Sequence, residues 1–161
     1  MYEPDELDLR IIDLLLEDGR MPAAKIARRV GNVSERAVRY RIDQMVKDGL
    51  IHIGAVVNPR RFGYPVVADV FIEVEPSQIQ EVAQRLAEMD EVSYVACSIG
   101  ELDISIQVVG RNTDDIYRFA TEVIGKMPGV RKTTTSIVPS VIKDVYQWRP
   151  PRRAPEREES P

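Results

Sequence analysis

The chain has 161 residues, 43% of them hydrophobic and 30% charged, with a net charge of −4, proportions ordinary for a soluble globular protein of one or two domains. No apolar run approaches the roughly 18 residues of a membrane span, and the acidic opening MYEPDELD lacks the cationic start of a secretory signal. One cysteine, Cys97, forms no internal disulfide and fits a reducing cytoplasm, and one Cys with one His falls short of a four-ligand zinc site.

Asp5 is placed to cap a first helix running to about Asp18, with Glu6 and Asp8 near its positive N-terminal end. Leu7, Ile11, Leu14 and Leu15 give its buried stripe, and Gly19 ends it. Pro22 fits the first position of a short second helix, whose stripe is Ala23, Ile26, Ala27 and Val30 and which stops at Gly31. Ser34 caps a third helix that Gly49 terminates, with Val38, Ile42, Met45 and Val46 on its apolar side. The opposite side carries Arg36, Arg39 and Tyr40, with Arg41 on the flank. Two short helices joined by a tight Gly-containing turn, the second one basic, is the helix-turn-helix pattern. LIHIGAVV, from Leu50 to Val57, reads as an apolar strand with His52 on its surface. NPRRFGYP, from Asn58 to Pro65, reads as a linker in which Arg60 and Arg61 either reach backbone phosphates or belong to a solvated hinge.

Val66 to Val74 is strong strand sequence, and Pro76 opens a helix to about Met89 with Ile79, Val82, Ala83 and Leu86 facing the core. A strand from Val92 to Ile99, a turn at Gly100 to Leu102 and a strand from Asp103 to Val109 follow, with Cys97 expected in the core. Thr113 is expected to cap a helix to Met127 that buries Ile116, Tyr117, Ala120, Val123 and Ile124. Val130 to Val138 is a fourth strand, and Val141 to Val145 reads as a further short one. The β-α-β-β-α-β order is the ferredoxin-like split arrangement. A weak repeat supports it: MDEV at Met89 is echoed by MPGV at Met127, and Ser98-Ile99 by Ser136-Ile137.

Charge separates the two halves. From Arg20 to Arg61 ten bases face three acids, a balance of +7, whereas from Phe62 to Trp148 seven bases face thirteen acids, a balance of −6. A basic segment beside an acidic body points to a nucleic-acid module joined to a domain that does not touch phosphates. The Pro-rich end, RPPRRAPEREESP, is expected to stay disordered, with Trp148 anchoring its start.

LDLRIIDLLLEDGR, KIARRVG and SERAVRYRIDQMVKDGLI resemble the N-terminal domain of the Lrp/AsnC, or feast/famine, transcription regulators. The resemblance extends from about Leu7 to Lys143 and implies an α+β protein in two parts. These are a winged-type helix-turn-helix domain over residues 1–57, then, after the linker at 58–65, a ferredoxin-like βαββαβ (RAM/ACT-like) domain over 66–145 and a tail at 146–161. It implies double-stranded DNA as a partner, with Ser34, Glu35, Arg36, Arg39, Tyr40 and Arg41 facing the groove. It also implies a homodimer assembling to a tetramer or octamer, and a small-molecule effector such as an amino acid, with no cofactor, metal or membrane. In this family a Gly-x-x-Asp turn senses the ligand. Here that turn is Gly100, Glu101, Leu102 and Asp103, with Thr133, Thr134 and Thr135 implied to line the same pocket. The chain departs from the family in its first turn, where Gly31, Asn32, Val33 and Ser34 stand for the usual Gly, one apolar residue and Ser. An architectural DNA-binding protein without an effector fits the same residues. Siroheme decarboxylases share the architecture but use pocket histidines, which the second domain lacks.

Overall fold

The computed structural model describes residues 2–150. The chain divides into two compact units, one of residues 1–56 with 143–161 and one of residues 57–142. The outer part of the tail, from 151 onwards, lies outside the described residues.

The first unit contains α1 (Glu6–Glu17), α2 (Ala23–Val30) and α3 (Glu35–Lys47). Asp5 caps α1 in a reciprocal box: its side chain accepts from the Asp8 N–H while the Asp8 carboxylate accepts from the Asp5 N–H. Pro22 is the N-cap of α2, one position before its expected place, and Gly31 ends that helix at φ 75. Ser34 Oγ accepts from the Ala37 N–H at the start of α3, and Gly49 turns the chain away at φ 69. Ile11, Ile26, Val38 and Met45 are fully buried at the centre of the three helices. Val46, expected in that stripe, is exposed, because the stripe turns to solvent at the last turn of α3.

Among the described residues no strand lies between α3 and residue 66, so the first unit is a plain three-helix unit without a wing. Leu50 to Val57 has the β-branched composition of a strand, yet Ile53, Val56 and Val57 stand exposed. A strand needs a neighbour to take its backbone hydrogen bonds, and this segment pairs with none in the single chain. Nor does Val141 to Val145 form a strand. Asp144 instead caps a short 3-10 turn, Val145–Gln147, and Arg149 reaches Asp13 of α1 at 3.2 Å.

The second unit contains β1 (Val66–Val74), α4 (Ile79–Ala87), β2 (Val92–Cys97), β3 (Ile104–Gly110), α5 (Thr113–Arg118) and β4 (Val130–Val138). The four strands form one antiparallel sheet in the order β2-β3-β1-β4. Alternate residues of β1 and β3, from Ala68 to Val74 and from Ile104 to Val108, bury one face against Val82, Leu86, Ile116, Phe119 and Ile124 of the helical segments.

Two expectations fail in α5. Asn112, not Thr113, is the cap, because its side-chain oxygen accepts from the Asp115 N–H at 2.8 Å. Beyond Arg118 the helix widens into a π-turn, Phe119–Val123, before a 3-10 turn at Ile124–Lys126. Ile116, Ala120 and Ile124 are buried as expected, Phe119 joins them, and Tyr117, before the wider turn, and Val123, at its end, are exposed. Cys97, at the end of an edge strand, is exposed and not in the core.

Candidate DNA-binding face and effector turn

Helix α3 separates its two sides cleanly. Val38 and Met45 are sealed in the core, while Ser34, Glu35, Arg36, Arg39 and Tyr40 are all exposed. Arg39 is ion-paired one turn back with Glu35, an exposed contact worth about 0.3–0.5 kcal/mol. That is weak enough for a phosphate or a guanine edge to displace. Ser34 uses its oxygen as an acceptor in the cap, which leaves its O–H proton to donate. The exposed side therefore offers two forked cations, a hydroxyl donor, a phenol and a carboxylate in about one and a half helical turns.

Arg41 does not belong to that side. Its Nη1 lies 2.8 Å from both carboxylate oxygens of Asp5 and 2.9 Å from Oδ1 of Asp8. Asp8 is only 1% exposed, and its Oδ2 accepts from the Tyr2 hydroxyl at 2.9 Å and from the Asp5 N–H at 3.0 Å. By sequence Asp8 is an acid near the helix dipole and Arg41 a DNA contact; the structure pairs them with each other. Part of this is visible in the spacing. Asp8 sits three and four residues before Ile11 and Ile12, on the buried face of α1, and three after the capping Asp5.

The network sets its own protonation. The Arg41 hydrogen bond, helped by the Asp8 N–H, holds the Asp5 carboxyl below its ordinary value of 3.8. The hydrogen bond to Asp8, then that to Asp5, keeps Arg41 charged more firmly than a free guanidinium. Burial, followed by the hydrogen bond to Asp8, pushes the Tyr2 hydroxyl up, so it remains a donor. Because the folded pKa of Asp5 lies below its unfolded value, its contribution is present above the unfolded pKa and is lost as pH falls through the folded one. Thermal melts of the first unit are expected to drop in temperature below about pH 4. The Asp5→Asn variant is expected to lack that part of the drop, by under about 1 kcal/mol because the carboxylate is half exposed.

The Gly100–Asp103 turn joins β2 to β3. Gly100 is exposed with φ 146, a conformation that suits glycine. Asp103 bonds across to β1: its N–H donates to the Ile72 carbonyl at 3.1 Å, and its Oδ2 accepts from the Val74 N–H at 2.7 Å. Thr133 pairs with Ile72 and Thr135 with Val70, on the helix-covered face, whereas Thr134 pairs with Phe71 on the open face. Strand alternation thus divides the three threonines between two faces of the sheet, and within one chain they do not line a single pocket. Among the described residues no group of three or more His, Cys, Asp or Glu side chains could hold a metal ion, and no helix is long and apolar enough to cross a membrane.

A three-helix unit with a cationic, exposed third helix, followed by a ferredoxin-like α/β domain, defines a DNA-binding transcription regulator. Residues 5–46 match the model of the AsnC-type helix-turn-helix domain, and residues 67–148 match that of the Lrp/AsnC ligand binding domain. The chain is 41% identical over 143 residues to an uncharacterised HTH-type transcriptional regulator of Pyrococcus furiosus, covering 88% of this chain and 96% of the relative. It is 33% identical over 144 residues to the HTH-type transcriptional regulator FL11 of Pyrococcus abyssi, covering 89% and 94%. The solved structure of Escherichia coli AsnC matches with a TM-score of 0.80 at 25% identity, over 90% of this chain and 99% of that one. A Neisseria meningitidis transcriptional regulator in complex with L-Met matches in fold, with a TM-score of 0.80 at 21% identity, over 88% and 94%. The chain belongs to the Lrp/AsnC family of transcription regulators. It is a DNA-binding regulator, as its relatives are named.

Proposed function

We propose that the chain works in the cytoplasm as a homodimer, assembling further to a tetramer or octamer, and reads two operator half-sites with its paired α3 helices. The observation that carries this reading is the exposed Arg36–Arg39–Tyr40 face over a sealed core. Two such helices related by a dyad fit half-sites about 34 Å apart, or a multiple of that spacing. The sheet face opposite the helices supports self-association: it bears Phe71 and an exposed Tyr94 beside the Asp69–Gln107 hydrogen bond. Ser34, Glu35, Arg36, Arg39 and Tyr40 are the residues proposed to meet DNA, and Arg41 is not among them.

We infer that the second domain also binds an amino acid at the Gly100–Asp103 turn. Oδ2 of Asp103 is engaged with the Val74 N–H, so Oδ1 is the oxygen to receive an ammonium group. Backbone N–H groups around Gly100 and Glu101 would receive the carboxylate. Thr134 lies on the open sheet face, so it meets such a ligand only where a second copy completes the site. Thr133 and Thr135 lie on the helix-covered face and are not among the proposed ligand contacts. The ligand shifts function by binding one assembly better than another.

A thermal-shift screen of the twenty amino acids tests this. At a hundred times its Kd the true ligand stabilises the folded state by about 2.7 kcal/mol, a shift of several degrees. Asp103→Asn keeps an acceptor for Val74 while removing the charge, and is expected to lose the ligand shift without losing the fold. Asp103→Ala strands the Val74 N–H and is expected to cost about 1–3 kcal/mol of stability as well. No shift with any amino acid, and no change in assembly size, would favour the effector-free architectural reading.

A further inference from the structure

We propose that Arg41, clamped to Asp8 and Asp5, is a positioning residue for sequence reading: it fixes the roll of α3 on α1 and so the aim of Arg36 and Arg39. The proposal rests on α3 being the element that reads DNA. The turn leading into α3 does not fix that aim by itself. Gly31 and Asn32 are consecutive positive-φ residues, at φ 75 and φ 54, in a turn one residue longer than the usual family pattern. Both are exposed.

The packing of α3 leaves the same freedom. Its buried residues are Val38 and Met45, seven apart, which places them almost on one line along the helix axis. Ile42, half-buried against the same core, lies roughly 40° round from Val38 on the side away from Arg41, so the contact is a narrow strip that resists lifting better than rolling. At about 100° per residue, Arg41 lies roughly 60° to one side of that line, while Arg36, Arg39 and Tyr40 lie roughly 100–200° round from it. A clamp at Arg41 therefore acts on the rotation that the apolar contacts leave open. The size of the effect is decisive: a roll of about 20° moves a side-chain tip ~6 Å from the axis by about 2 Å, enough to break a hydrogen bond to a base edge.

The clamp is built to hold. The Asp8 carboxylate is nearly excluded from water and receives three donors, from Tyr2, the Asp5 backbone and Arg41. A buried ion pair adds little net stability compared with an apolar replacement, and its best-attested service is to fix registry. The Arg41 guanidinium meets both carboxylates through one nitrogen, Nη1, and its planar, weakly hydrated head is held there more rigidly than a strongly hydrated lysine ammonium on its flexible stem.

The test uses the full chain, a duplex selected from genomic fragments by the native protein, and a scrambled duplex of equal length. Arg41→Gln is expected to weaken binding to the selected duplex by about tenfold to a hundredfold, the worth of a well-made bidentate base contact, with little change on the scrambled one. The slope of log affinity against log salt is expected to stay unchanged, whereas removing a phosphate contact lowers it by about 0.9. Asp8→Asn, on another helix and out of reach of DNA, is expected to give the same weakening, and the double variant no more than either alone. Arg41→Lys keeps the charge compensation of Asp8, and so serves if the other variants melt. It is expected to lose selectivity at an unchanged salt slope. An equal weakening on both duplexes with a shallower slope, or full selectivity in Asp8→Asn or Arg41→Lys, overturns the proposal. The Arg36→Ala and Arg39→Ala pair is the control: if it leaves both affinities intact, the reading of α3 as the DNA face fails instead.

Discussion

Replacing Arg36 and Arg39 together by alanine is expected to abolish sequence-specific DNA binding while leaving the protein folded. Both side chains are exposed on α3, and neither belongs to the core of the three helices. Alanine is at least as good a helix former as arginine, and the ion pair it removes, between Arg39 and Glu35, is an exposed one. Stability should therefore change by under about 0.5 kcal/mol. On the DNA side, each arginine making a bidentate base contact is worth about 1–3 kcal/mol. The proposed dimer would present two copies of each arginine, so specific affinity is expected to fall by about a thousandfold or more. A gel-shift titration with an unchanged far-UV spectrum checks both halves of the statement. Undiminished affinity would move the DNA face off α3.

Features governed by neighbouring residues were legible in the sequence. The caps Asp5 and Ser34 lie three residues from the N–H groups they serve, and β1 and β4 begin and end where the β-branched runs of Val66–Val74 and Val130–Val138 do. What failed depends on distant partners or on small local changes of pitch. Leu50 to Val57 has strand composition but no strand beside it, so propensity found nothing to act on. Asn112 and Thr113 are both good cap residues, and only the bond to Asp115 distinguishes them. The π-turn at Phe119 adds one residue to a helical period, and past it Val123 is exposed although Ala120 and Ile124 are buried as expected.

The candidate site divides along the same line. The exposed side of α3 follows from 3.6-residue periodicity, so Arg36, Arg39 and Tyr40 fall where their spacing puts them. Arg41 differs from them by only a few residues, yet its partners lie 33 and 36 positions away in the chain. Spacing gives a flank; it does not tell whether that flank meets DNA or another helix. In the second domain, three adjacent threonines read as one patch, whereas a strand assigns neighbours to opposite faces. Resemblance to a family transfers the turn at Gly100 to Asp103 but not what Asp103 bonds to, which here is β1 itself.

Ile11→Ala is expected to abolish DNA binding at 37 °C by a different route, through loss of the first unit's fold. Ile11 is fully buried on α1 among Ile26, Val38 and Met45, and is far in kind from any DNA contact. Removing its branched side chain from a packed core costs about 2–5 kcal/mol. The main segment of the first unit, residues 1–56, is of a size whose whole stability is roughly 3–8 kcal/mol. One truncation therefore removes most of it. The second unit keeps a separate core of Ile72, Leu86, Ile104 and Ile106, so it is expected to melt where it did before. Calorimetry should show a low-temperature transition moved down by several degrees or more and a second one unmoved. Saturating DNA should recover part of that shift, since a ligand that binds only the folded unit stabilises it by mass action. The arginine pair variant would show neither effect, which separates loss of the reading surface from loss of the fold that presents it. A single transition that moves as a whole would mean instead that the two cores melt as one cooperative body.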